Sequence, residues 1–195
     1  MKMLFGFRGI AVSEPTIYMR WIFLPVIAHW LSWLTGMAGV VLFPVLLTIA
    51  QVLILKVYSE AVKPWWWLAT LPVTFGCWIY FGPHRYDSAV DPEGYFIRAI
   101  LIYYIVQCLN SFFLPLVVKE NPVPAMIRWF GSVLIAGVCW VIFYYILIRI
   151  VPLKTILGYQ NWWFGMLLVF PLISLLANAL GGLYLIRVRE RAHVW

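Results

Sequence analysis

Residues 21–55 read WIFLPVIAHWLSWLTGMAGVVLFPVLLTIAQVLIL, 35 positions without a single Asp, Glu, Lys or Arg. As one straight α-helix this stretch would be about 52 Å long, whereas a bilayer core of about 30 Å needs only about 20 residues. One crossing cannot use it. Leu-Thr-Gly at 34–36 offers a break near the middle, so the stretch reads as parts of two crossings, residues 15–33 and 37–58. Arg20 falls near the start of the first, where a long side chain can snorkel to the membrane surface. The competing count lays residues 15–33 flat on that surface and leaves five crossings.

The rest of the chain repeats the pattern. Residues 64–83, 99–118 and 129–148 also carry no Asp, Glu, Lys or Arg, and four further helices are expected at 64–82, 96–118, 125–149 and 162–186. The chain is 65% hydrophobic and 11% charged, against about 45–50% and 25% in soluble domains. The fold class that follows is an all-α polytopic membrane protein, one domain over residues 1–195 with six transmembrane helices. The apolar start at residues 3–7 is too short for the core of a signal peptide, and Arg8 interrupts it.

Six crossings put both termini on one side. Lys2, Arg8, Arg20, Lys56, Lys63, Lys119, Arg128, Arg187, Arg189 and Arg191 share that side, ten in all, against four opposite: Arg85, Arg98, Arg149 and Lys154. The excess of positive charge predicts cytoplasmic N- and C-termini. It also explains the net charge of +7 by anionic lipid headgroups, and nucleic acid is not an expected partner. The expected location is the plasma membrane, multi-pass, which in a bacterium is the inner membrane. Trp65, Trp66 and Trp67 read as an aromatic belt at the cytoplasmic face, and Tyr80, Phe81, Tyr86, Tyr95 and Phe96 as its outer counterpart.

Parts of the chain resemble each other. Arg20-Trp21 and Ile27-Ala28 recur at the same spacing as Arg128-Trp129 and Ile135-Ala136. Gly36-Met37 with Phe43-Pro44 resembles Gly165-Met166 with Phe170-Pro171. These matches suggest repeated helical hairpins, up to three of them. They also single out the polar groups inside the apolar runs: Gln51, Gln107 and Asn178 on the even-numbered helices. Asn110 and Ser111 share a helix face with Gln107, and Ser174 stands one turn before Asn178. A carboxamide in hydrocarbon is costly unless paired, so these six residues should point inward. Two roles suit them. They are interhelical glue, each bond worth about 0.6–2 kcal/mol, or they form an intramembrane site for a neutral polar ligand. Ser132 with Ala136, Ala177 with Gly181 and Asn178 with Gly182 have the four-residue spacing of close helix contacts.

Outside the runs, polar groups concentrate in residues 83–95, where His84, Arg85, Asp87, Asp91 and Glu93 form a candidate outer-loop site. Pro83, Ser88, Pro92 and Gly94 interleave with them in the manner of a solvated turn. Asp91-Pro92-Glu93 reads as a helix start, with Asp91 as N-cap and Pro92 in the first turn. Cys77, Cys108 and Cys139 lie in apolar runs and read as packed thiols. No metal-ligand spacing, phosphate loop or nucleophile motif occurs, so no catalytic residue, metal or cofactor is expected.

Three functions fit. The leading one is a non-catalytic multi-pass subunit of a larger membrane assembly, with membrane-protein partners or self-association. The alternative is the substrate-binding component of a small-molecule transporter with an amide-lined site. A second alternative is a membrane enzyme acting on lipid at the 83–95 loop. No acidic residue sits in a helix centre, which argues against coupling to ions or protons.

Overall fold

The long apolar run breaks where Leu-Thr-Gly begins. In the computed structural model, which describes residues 2–35, 39–57, 61, 63–82, 92–118, 122–150 and 165–192, helix α1 spans Lys2–Leu34 and α2 spans Gly39–Leu55. At the end of α1, hydroxyl side chains bond back to the carbonyl three residues before them. Ser32 Oγ donates to His29 O at 2.6 Å, and Thr35 Oγ1 donates to Ser32 O at 2.6 Å. Helix α1 starts well before the expected residue 15, and α2 stops short of residue 58, turning at Lys56 and Val57.

Two expected helices are less uniform than anticipated, and proline is the cause in both. Pro64–Thr70 is a 3₁₀-helix that runs into α3 (Leu71–Phe81). Pro72 has no N–H to give the Leu68 carbonyl, and Leu71 N–H takes that carbonyl in the tighter 3₁₀ pattern. Likewise α4 (Pro92–Asn110) passes through a 3₁₀ turn at Ser111–Phe113 into the short α5 (Leu114–Val117). Here Pro115 cannot bond the Ser111 carbonyl, so Leu114 N–H does. Pro92 opens α4, ahead of the expected start at 96 and in keeping with the Asp-Pro-Glu reading. Helix α6 runs over Pro122–Ile150. A π-helical turn at Gly165–Val169 then leads into α7 (Phe170–Ala192).

The described residues are almost wholly helical and contain no strand, only an isolated antiparallel bridge between Ala61 and Val118. Among them, three spans are long and apolar enough to cross a membrane: Ile100–Val117, Pro122–Leu147 and Leu167–Ile186, with mean hydropathies of 1.8, 2.1 and 1.9. Val41–Leu55 is a shorter apolar helix. These features mark a membrane protein.

The helices form a ring. Helix α1 packs on α2 and α7, α7 on α6, α6 on α4, and α4 on α3; α3 and the preceding 3₁₀ segment return to α2. Small residues permit the closest approaches. A Cβ on Gly181 would strike the Ser132 carbonyl and lie 3.0 Å from Ala136 Cβ, so α6 and α7 touch at the anticipated small residues. On the other side of α7, a Cβ on Gly182 would come within 3.0 Å of Tyr18 and Trp21 in α1. Large apolar side chains such as Phe23, Val41, Ile105, Leu134 and Leu176 point outward and are exposed.

Candidate functional site

Inside the ring, α1, α2, α4, α6 and α7 enclose a cavity of about 20 Å³. Gln51, Gln107 and Asn178 all line it, together with Trp21, Tyr103, Tyr104 and Trp129. Three carboxamides far apart in the sequence are thus brought to one place. Each is at most 4% exposed.

Their hydrogen bonding differs. Gln51 Oε1 accepts from Trp67 Nε1 at 2.8 Å, and Asn178 Oδ1 accepts from the Tyr104 hydroxyl at 3.3 Å. These two act as interhelical links. Gln107 does not: among the described residues neither its Oε1 nor its Nε2 has a hydrogen-bond partner, although the side chain is only 2% exposed. A buried carboxamide without partners forgoes hydrogen bonds worth about 1–3 kcal/mol for each polar group. Native interiors rarely carry such a group without a role.

The two Arg-Trp pairs also converge. Trp21 and Trp129 meet edge to face with ring centroids 4.8 Å apart, and Trp67 lies 5.5 Å from Trp129. Arg20, on α1, reaches the end of α2. Its Nη1 donates to Leu53 O at 2.7 Å, capping the open carbonyl end of α2. Arg128 is buried, 5% exposed.

The structure does not bring the other three predicted intramembrane residues to this cavity. Asn110 donates through Nδ2 to Thr74 Oγ1 at 2.9 Å, tying α4 to α3. Ser111 Oγ donates back to Cys108 O at 2.6 Å within its own turn. Ser174 Oγ accepts from Trp140 Nε1 at 3.2 Å between α7 and α6. In the candidate outer-loop site, His84, Arg85, Asp87 and Asp91 lie outside the described residues; of Glu93 only its place in the first turn of α4 is described.

Sequence reasoning missed Trp67. It belongs not to the surface belt but to the core, where it is fully buried. Its neighbours are exposed: Trp65 lies under Lys56 Nζ at 4.3 Å, and Trp66 under Lys63 Nζ at 5.3 Å. The helical period held the signal, since three consecutive residues cannot all face one side. Cys77, Cys108 and Cys139 are free thiols, each partly buried.

A second cavity of about 10 Å³ lies between α2, α3 and α4, lined by Phe43, Leu47, Thr74, Trp78 and Val106. Tyr103 and Gln107 line both cavities and form the wall between them. No known protein family matches this sequence, and neither curated proteins nor solved structures show significant similarity to it.

Proposed function

We propose that this chain is a six-crossing protein of the plasma membrane, with both termini cytoplasmic, that binds a small neutral polar solute inside its helix ring. It serves as the solute-binding, non-catalytic subunit of a transport assembly. One observation carries this reading: Gln107 buries both polar atoms of its amide unpartnered, on a cavity shared with Gln51 and Asn178. A purely structural amide would be paired, as Gln51 and Asn178 are. The apolar runs hold no carboxylate with which to couple to an ion gradient, so partner proteins in the membrane supply the driving force. The repeated Arg-Trp and Phe-Pro motifs are read as hairpins, of whose matching positions Trp21 and Trp129 line the site.

Gln107→Leu tests this. The variant should fold with a thermal midpoint equal to or above that of the parent, because an unpaired buried amide has been removed. It should fail to complement a strain lacking the gene. A lowered midpoint with full complementation would make Gln107 a structural residue and contradict the reading.

A further inference from the structure

Resting on that reading, we infer that the occupant is a small neutral molecule bearing adjacent N–H and C=O groups, an amide, lactam or urea, with a compact apolar body. A primary carboxamide presents a donor and an acceptor side by side. The ligand that satisfies both at once offers an acceptor and a donor with the same spacing, closing a cyclic pair of hydrogen bonds. Gln107 is the cavity's carboxamide with both of those atoms free, while the oxygens of Gln51 and Asn178 already accept bonds from Trp67 and Tyr104.

Charge and shape narrow the class further. Among the described residues no carboxylate, lysine, arginine or histidine lines either cavity, so an ionic solute would be buried without a counter-charge at high cost. The lining around Gln107 is rich in aromatic side chains, Trp21, Tyr103, Tyr104 and Trp129. Flat faces favour a flat polar group. The inner cavity, at about 20 Å³, has room for about one water, so a larger guest needs more space. The adjoining cavity adds about 10 Å³, so an apolar body is received only as Phe43, Leu47 and Trp78 around it move apart. A swing of Gln107 and Tyr103, which separate the two, joins them. The amide head then stays on Gln107 while the body extends between α2 and α3.

The test uses the full chain in nanodiscs and follows thermal unfolding against concentration of 2-pyrrolidinone, N-methyl-2-pyrrolidinone and glycerol. The lactam should stabilise the parent saturably. Its N-methyl analogue, which keeps the acceptor and loses the donor, should bind at least about tenfold more weakly. Gln107→Leu, and the near-isosteric Gln107→Met should the first fold poorly, should lose the lactam effect by a similar factor. Equal stabilisation by the N-methyl compound, or by glycerol alone, would overturn the amide class while leaving a polar solute site standing. Lactam binding undiminished in both variants would remove Gln107 from the site. No response to any probe would overturn the inference and leave water as the occupant, with the complementation result for Gln107→Leu still deciding the broader reading.

Discussion

Trp67 donates its indole N–H to Gln51 Oε1 across 2.8 Å, and both side chains are buried. Replacing Trp67 by Phe keeps an aromatic ring and removes the donor, so stability in detergent should fall by about 1–3 kcal/mol. Trp65→Phe, on an exposed ring, should stay within about 0.5 kcal/mol of the parent; denaturant titration of the two side by side checks the contrast. Gln51, Gln107 and Asn178 were legible as inward-facing because a carboxamide in an apolar run has nowhere else to go. Their partners were not legible, since each is chosen by a different helix. For the same reason Asn110, Ser111 and Ser174 could not be separated from the site by sequence. Thr74, the Cys108 carbonyl and Trp140 claim them, and nothing local to Asn110 or Ser174 announces that.

At the scale of elements, prolines shape the helices by what they fail to bond. Pro171 offers no N–H to the Leu167 carbonyl, and Trp30 Nε1 on α1 donates to that oxygen instead at 2.8 Å. Trp30→Phe should therefore cost about 0.5–1.5 kcal/mol. The same change should cost less in a Pro171→Ala background, where the restored backbone N–H can bond the Leu167 carbonyl, and a double-mutant cycle measures the difference. Glycines divide in a similar way. A Cβ on Gly76 in α3 meets nothing within 4 Å, whereas one on Gly181 meets the α6 backbone. Gly76→Ala should stabilise by about 0.5–1 kcal/mol through helix propensity. Gly181→Ala should destabilise by at least about 1–3 kcal/mol as α6 and α7 are forced apart. Equal effects from the two would contradict the packing described. The prolines and small residues were plain in the sequence. Their consequences were less so, because a 3₁₀ turn and a full α-turn share one hydrophobic pattern over so few residues.

For the whole molecule, the break after Leu34 and the basic asymmetry predict that reporters fused at residue 35 and at the C-terminus lie on opposite sides of the membrane. Fusions on the same side would contradict this topology. Laying the first segment flat on the surface leaves that pair opposite and instead puts the N- and C-termini on opposite sides, where six crossings put them together. The apolar spans and the break point could be read from charge-free length alone, because the bilayer thickness sets the ruler. The ring order could not, since apolar faces match one another without telling which neighbour each will choose. The central claim is that the ring holds a solute on Gln107. A density map of the protein purified from its own membrane, at a resolution that shows ordered water, tests it most directly. The expected result is non-protein density larger than one water, within about 3 Å of both Gln107 Oε1 and Nε2. An empty cavity, a single water-sized peak, or a Gln107 amide paired with a neighbouring helix would contradict it.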